Sequence, residues 1–174
     1  MCAIDIQPVI ATERLVLRGL RLNDAGRIAE LANDRDVARM LAAMPHPYTR
    51  DHADAFLARQ GEGPGRNFAI EHPAEGLIGV AGFKRDDLGR PELGYWLGKP
   101  YWGCGFATEA AKGALGWAHK DWGKRAVMAR HFSDNPASGE VLNKAGFLYT
   151  GEVTLAPSAA RDALTPSRTM VWLA

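Results

Sequence analysis

The sequence predicts a mixed α/β sheet domain. Three observations carry that expectation: the order of the apolar patterns, one long helical run set between two strands, and a length that one core fills. Helical spacing dominates the first third and strand-like runs the middle, and the remainder reads β-α-β-α-β-β. The helical run, Phe106 to about His119, places Ala107, Ala110, Ala111, Ala114, Leu115 and Ala118 at i, i+3, i+4 spacing. At 174 residues, with 47% apolar and 24% charged, the chain reads as one domain over 1–174.

Taken in order, Thr12 to Arg18 reads as a first strand, with Leu15, Val16 and Leu17 set between charges. Asn23 and Asp24 can cap a helix running through Ile28, Leu31 and Ala32. A second short helix follows Asp34 through Val37, Met40 and Leu41, and Pro45-His46-Pro47 stops it because proline lacks an amide. Helical spacing returns from Thr49 to Gln60, ended by Gly61-Glu62-Gly63-Pro64-Gly65. Asn67–Glu71 and Leu77–Phe83 form a hairpin pattern around a Pro/Gly turn, and Glu92–Leu97 is a further strand. After the long helix come a strand at Ala126–Phe132, a short helix at Pro136–Ala145 closed by Gly146, and strands at Phe147–Val153 and Thr169–Leu173. The expectation is about seven strands with four or five helices, in a mixed, mostly antiparallel sheet.

Charge excludes some partners. Lys and Arg number 21 against 20 Asp and Glu, so the net charge is +1, without the basic excess of a nucleic-acid or membrane-surface binder. No apolar run approaches the roughly 20 residues that cross a bilayer. The opening Met1-Cys2-Ala3-Ile4-Asp5 lacks the basic and apolar regions of a secretory signal, so a cytoplasmic location is expected. Cys2 and Cys104 are too few for a disulfide framework, and their spacing offers no metal site.

The chemistry concentrates in one stretch, Tyr95-Trp96-Leu97-Gly98-Lys99-Pro100-Tyr101-Trp102-Gly103-Cys104-Gly105-Phe106-Ala107-Thr108-Glu109-Ala110. Glycines before a helix let backbone amides approach a ligand without interference from a Cβ. Free amides of the first helical turn, at the positive end of the helix dipole, then favour an anion such as a pyrophosphate. The GxxxxGK[ST] of a phosphate-loop nucleotidase and the GxGxxG of a dinucleotide fold are both missing.

This segment resembles motif A of the GNAT-type N-acetyltransferases, Q/R-x-x-G-x-G/A, with Gly105 and Ala107 at the last two motif positions. Trp102 stands where the family has Gln or Arg, as in the branch that acetylates ribosomal-protein N-termini. Three further pieces resemble that branch in family order: Thr12–Arg18 its opening strand, Glu92–Leu97 its fourth strand, and Asn135-Pro136-Ala137-Ser138 with Asn143-Lys144-Ala145-Gly146-Phe147 its N-x-x-S…K-x-G-F signature. The resemblance implies a GNAT-like fold in which a parallel strand pair, 92–97 and 126–132, splays apart to form the CoA cleft. It further implies acetyl-CoA as cosubstrate and an amine acceptor. Gly103, Cys104, Gly105, Phe106, Ala107 and Thr108 would cradle the pyrophosphate. Strand groups near Leu97 would bind the pantetheine amides and polarise the thioester carbonyl. Asn135 and Lys144 would contact the cofactor arm, and Ser138 would donate to the departing thiolate. Transfer would be direct, in a ternary complex.

Glu92 is the candidate base, acting through water. An α-amine with a pKa of about 7.8 is already partly neutral at pH 7.5, whereas a lysine near 10.4 is almost wholly charged, so an N-terminal acceptor needs only modest help. The competing readings are a solvated strand end for Glu92 and a helix-face hydroxyl for Ser138. Cys104 reads as a tolerated motif residue rather than a nucleophile, and His131 as a packed histidine. His46 and His52 fall on the acceptor side by analogy. Tyr95, Trp96, Tyr101 and Trp102 read as packing of the core and cleft. The segment from Ala156 to Ser167 either overhangs the acceptor site or is a surface excursion. A protein N-terminus is favoured as acceptor over a small amine, amino acid or drug. A non-catalytic acyl-CoA-binding module and a homodimer remain open, and the Ala- and Arg-rich composition suggests a GC-rich bacterial genome.

Overall fold

The computed structural model describes residues 8–60 and 66–174. Its elements in chain order are β1 (Ile10–Ala11), β2 (Val16–Gly19), α1 (Ala25–Ala32), α2 (Arg35–Ala38), α3 (Arg50–Ala58), β3 (Arg66–His72), β4 (Gly76–Arg85), β5 (Pro91–Leu97), α4 (Phe106–Lys120), β6 (Ala126–Phe132), α5 (Pro136–Ala145), β7 (Leu148–Ala156) and β8 (Thr165–Leu173). The eight strands form one sheet in the order β1-β2-β3-β4-β5-β6-β8-β7. Every pairing is antiparallel except β5–β6, which is parallel. That pair registers only at Glu92–Met128 and Leu93–Ala129, so beyond Leu93 the two strands part.

Each face of the sheet is covered. On one face Leu15, Leu17, Phe68, Phe83, Leu93 and Leu97 meet the alanine stripe of α4, with Leu142 and Phe147 from α5 and its exit. The small side chains at 110, 111, 114 and 118 let the α4 backbone lie close on the strands. On the other face Ile28, Leu31, Val37, Ala53 and Leu57 close over Ala69 and Leu77, with Trp96 packed against them.

Several boundaries differ from the sequence reading, each for a local reason. The first strand begins at Val16 rather than Thr12, because Thr12 closes a turn with Leu15. The Thr12 amide donates to the Leu15 carbonyl at 2.9 Å, and the Leu15 amide donates to Thr12 Oγ1 at 3.1 Å. Before that turn lies β1, two residues that pair with Val16 and Leu17. Asp24 does not cap α1 with its side chain. Its carboxylate instead takes two 2.9 Å bonds from the Arg18 guanidinium and one from the Arg21 amide. Burial pushes the Asp24 carboxyl up, but these donors hold it below the ordinary aspartate value. The helix after Asp34 stops at Ala38, short of Met40 and Leu41. At the end of α5, Gly146 (φ 100°) donates to Asn143 and Phe147 to Leu142, a paired C-terminal closure that starts β7 at Leu148. Strand β8 starts at Thr165, four residues early, because its whole length is paired with β7 or β6. The glycine-rich segment 61–65 and Cys2 lie outside the described residues.

Candidate active site

The site begins where β5 leaves the sheet. Leu97 is the last strand residue, and Trp102 folds back so that its indole Nε1 donates to the Leu97 carbonyl at 2.9 Å. The turn then needs two left-handed residues, and both are glycine: Gly103 at φ 75° and Gly105 at φ 81°. Gly105 caps α4, and the Glu109 amide closes the first helical bond onto the Gly105 carbonyl at 3.1 Å. The amides of Phe106, Ala107 and Thr108 therefore belong to the unpaired first turn. A Cβ on Gly103 would meet nothing within 4 Å, so the cradle is open at that point.

Arg14, which the sequence reading did not assign to the site, borders this cradle. Its Nη1 donates to the Cys104 carbonyl at 3.1 Å, and its guanidinium stacks 4.6 Å above the Phe106 ring. Glu109 fixes it there, accepting from the Thr12 hydroxyl (2.6 Å), the Arg14 amide (2.6 Å) and Arg14 Nε (2.8 Å). Burial raises the Glu109 carboxyl, but these donors hold it below the usual glutamate range. A fixed cation thus stands beside the glycine turn at the positive end of a fifteen-residue helix. Spacing alone cannot reveal this, because Arg14 and Cys104 are 90 positions apart.

The gap between β5 and β6 supplies the second part. Gly98 N–H donates to the Ile78 carbonyl at 2.9 Å, so the hydrogen-bonded pairs with β4 fall on Trp96, Gly94 and Glu92. The alternate residues Leu93, Tyr95 and Leu97 turn their N–H and C=O groups toward β6. On β6, Ser133 donates to the Pro166 carbonyl at 2.8 Å, which by the same alternation turns Arg130 and Phe132 toward β5. Trp102 takes the Leu97 carbonyl, and Asn135 N–H takes that of Phe132 at 2.9 Å. Left facing the gap are both backbone groups of Tyr95, the Arg130 carbonyl, and the amides of Leu97 and Phe132; the Arg130 amide is taken by the Leu93 carbonyl in the last parallel pair. Of the strand groups near Leu97, the Leu97 carbonyl is already committed to Trp102, while the Tyr95 carbonyl is free.

The two faces of the gap carry different chemistry. Glu92 is 5% exposed, on the same face as Gly94 and Trp96, with Lys84 Nζ at 3.1 Å and Arg130 Nε at 3.4 Å. It is a buried, doubly ion-paired carboxylate rather than a solvated strand end. Ser138 lies across the sheet in the first turn of α5. Its hydroxyl is 2.8 Å from the Tyr95 hydroxyl, and its amide donates to Asn135 Oδ1 at 3.3 Å. Asn135 therefore caps α5 and leaves its own side-chain amide for any other partner. Lys144 does not join this group. It is exposed in the last turn of α5, six residues beyond Ser138 and so about 9 Å along the axis.

His131, His52 and Cys104 are held by local contacts. His131 Nδ1 lies 2.8 Å from the Phe132 carbonyl and Nε2 3.0 Å from the Tyr149 hydroxyl, so both ring nitrogens are engaged. His52 Nδ1 accepts the Thr49 amide at the start of α3. Cys104 Sγ is exposed and rests 3.5 Å from the Trp102 carbonyl.

The segment between β7 and β8 folds over the α2 side of the sheet. Ser158 Oγ donates to the Leu41 carbonyl (2.7 Å), Ala159 N–H to Ala42 (2.8 Å), and Arg161 Nε to Arg39 (2.7 Å). Arg161 also reaches both oxygens of Asp134 and stacks on Phe132 at the end of β6. An open cleft of about 500 Å³ lies here, lined by Arg35, Asp36, Arg39, Ala160, Arg161 and Asp162.

A glycine-turn cradle ahead of a helix and a parallel pair that splays beside it define a CoA-type acyltransferase architecture. The acetyltransferase (GNAT) domain family matches residues 14–148, and the chain belongs to that family. The uncharacterized N-acetyltransferase p20 of Bacillus licheniformis is 30% identical over 146 residues, covering 80% of this chain and 82% of the relative. The uncharacterized N-acetyltransferase YoaA of Bacillus subtilis is 29% identical over 151 residues, covering 83% of this chain and 85% of its own length. Among solved structures, a GNAT-family acetyltransferase from Bacillus anthracis superposes with a TM-score of 0.82 at 22% identity, covering 95% of this chain and 98% of that one. Spermidine N-acetyltransferase from Vibrio cholerae, solved with CoA and spermine, gives 0.78 at 20% identity, covering 92% and 95%. The chain is thus an acetyltransferase by family. Among its described residues no helix is long and apolar enough to cross a membrane.

Proposed function

We propose that this protein transfers an acetyl group from acetyl-CoA to a primary amine by direct attack within a ternary complex. The observation that carries the reading is the continuity of the cradle and the gap. Left-handed Gly103 and Gly105, the free amides of Phe106, Ala107 and Thr108, and the Arg14 guanidinium offer an anion site. From there the outward-facing backbone of Tyr95 and Leu97 leads into the opening between β5 and β6. The cradle suits the pyrophosphate, and those strand groups suit the pantetheine amides. Asn135 contributes its side-chain amide to the arm. Lys144, exposed in the last turn of α5, is the second residue proposed to contact the arm. Acetyl-CoA supplies an activated thioester carbon when bound.

The chain's own residues then divide the work. An N–H of Tyr95 or Leu97 polarises the thioester carbonyl, a contribution worth about 3 kcal/mol when such a donor is well aimed. Glu92, on the α1–α3 face, takes the amine proton through water, its charge held between Lys84 and Arg130. Ser138, on the α4–α5 face, offers its hydroxyl proton to the departing sulfur. Acid and base thus stand on opposite faces of the gap, as an amine entering from one face and a thiol leaving from the other require.

A protein N-terminus is the favoured acceptor. The branch resemblance supports it. A polyamine, the acceptor class named for the Vibrio cholerae neighbour, calls for excess negative charge. Three arginines and two aspartates line the open cleft between α2 and the β7–β8 segment. The test is mass spectrometry of a mixed pool of peptides, amino acids and polyamines after incubation with acetyl-CoA. Acetylated peptide N-termini are expected; acetylated polyamine alone would move the assignment to the small-amine class.

A further inference from the structure

Tyr95 is the one side chain at the splay that both reaches the proposed acid and has no role in the account so far. It sits in the part of β5 that has left β6, on the same face as Leu93 and Leu97, and packs against the core under α4. Its hydroxyl is 2.8 Å from Ser138 Oγ and 3.2 Å from the Ser138 carbonyl. A phenol has one proton to give. Sent to the carbonyl, it leaves Ser138 to donate back to Tyr95 and the serine proton is consumed within the pair. Sent to Oγ, the shorter contact, it leaves the serine proton free to point into the gap.

We infer that Tyr95 is a positioning residue for the acyl transfer: by donating to Ser138 Oγ it directs the serine hydroxyl proton at the sulfur that leaves. The inference rests on the proposed role of Ser138. In the step, the amine nitrogen forms a bond to the thioester carbon and the carbon–sulfur bond breaks. The sulfur keeps the electron pair and departs as thiolate, and the amine proton goes to Glu92 through water. Neither hydroxyl need lose its proton. Ser138 hydrogen-bonds the thiolate, and Tyr95 strengthens that bond because donors in a chain polarise one another. Burial pushes the Tyr95 hydroxyl up to about 12, against which the Ser138 bond acts only in part. A phenol so weakly acidic holds its proton beside a thiolate whose parent thiol titrates near 8.5, so Tyr95 orients and does not itself protonate.

The test needs no acceptor. A donor aimed at sulfur favours bound thiolate, so CoA should bind more tightly as pH rises through its bound and then its free thiol pKa. Acetyl-CoA, with no thiol, should not show this gain. Calorimetric affinities for CoA and acetyl-CoA at pH 6.5 to 9.5 give the ratio, in which titrations of the phosphate cradle cancel. Wild type is expected to gain about tenfold for CoA over acetyl-CoA, the effect of a thiol pKa lowered by about one unit. Ser138→Ala should lose the gain in the CoA to acetyl-CoA ratio, and Tyr95→Phe, which keeps the ring and removes only the hydroxyl, should lose most of it. Loss in Ser138→Ala with full retention in Tyr95→Phe overturns the role of Tyr95 alone. A wild type without the gain overturns the Ser138 assignment beneath it.

Discussion

Replacing Gly105 by Asp separates the phosphate cradle from the fold. Gly105 lies at φ 81°, a region that costs most L residues about 1–2 kcal/mol but that Asp and Asn enter more readily. A Cβ there would meet only Arg14 Nη2, at 3.4 Å, an ordinary contact with the end of a flexible side chain. Folding should therefore lose about 1 kcal/mol, or roughly 2–4 °C in Tm for a domain of this size. Binding should lose more. A carboxylate about 5 Å from a docked phosphate, at an effective dielectric near 40, repels each negative charge by about 1.7 kcal/mol. Two charges give about 3 kcal/mol, or roughly a hundredfold in Kd. The assay is calorimetric CoA affinity beside thermal unfolding, with Gly105→Asn as the uncharged control. Asp should bind roughly a hundredfold more weakly than Asn, with the difference shrinking at high salt. A folded Gly105→Asp protein with the affinity of Gly105→Asn would refute the cradle.

Four other outcomes are expected. Ser138→Ala should lower kcat by roughly 10- to 1000-fold in steady-state assays while acetyl-CoA affinity holds, because the group acts mainly in the transition state. Glu92→Gln should depress the rate most at low pH and recover as the acceptor amine deprotonates unaided; a pH–rate profile shifted by the same factor throughout would end the base assignment. Glu109→Gln should cost about 1–3 kcal/mol by denaturant unfolding and weaken CoA binding, since it loosens Arg14. Asp24→Asn should cost about 3 kcal/mol or more by breaking a buried pair. Because the Asp24 carboxyl is held below its unfolded value, its stabilisation is complete above about pH 4 and lost as pH falls through the folded value, and the mutant's acid unfolding should lack that component.

Features written in contiguous sequence were legible, and features made by long-range pairing were not. The alanine period from Ala107 to Ala118 gave α4 to within a residue, and Gly103 and Gly105 took the left-handed conformations that glycine before a helix suggests. Asn135 and Ser138 come together because they lie three positions apart at a helix start. The Arg14–Glu109 clasp joins segments 95 positions apart, and no local pattern encodes it. Tyr95 reads as packing because it falls in an aromatic cluster with Trp96, Tyr101 and Trp102, and only the approach of α5 turns its hydroxyl into a partner for Ser138. The apolar run at 15–17 draws Thr12 into the strand pattern, whereas its hydroxyl oxygen accepts the Leu15 amide in a turn. Lys144 enters through the signature shared with Gly146 and Phe147, and it stands exposed in the last turn of α5.

Acetyl transfer itself is the most direct test of the account. Purified protein is incubated with acetyl-CoA and a pool of peptides and small amines, and both free CoA and acetylated products are followed by mass spectrometry. The expected result is stoichiometric release of CoA with one acetyl group gained on a primary amine, reduced roughly a hundredfold in Gly105→Asp under subsaturating acetyl-CoA. Tight acetyl-CoA binding with neither CoA release nor an acetylated amine in any pool would contradict it and leave a protein that binds the cosubstrate without turning it over.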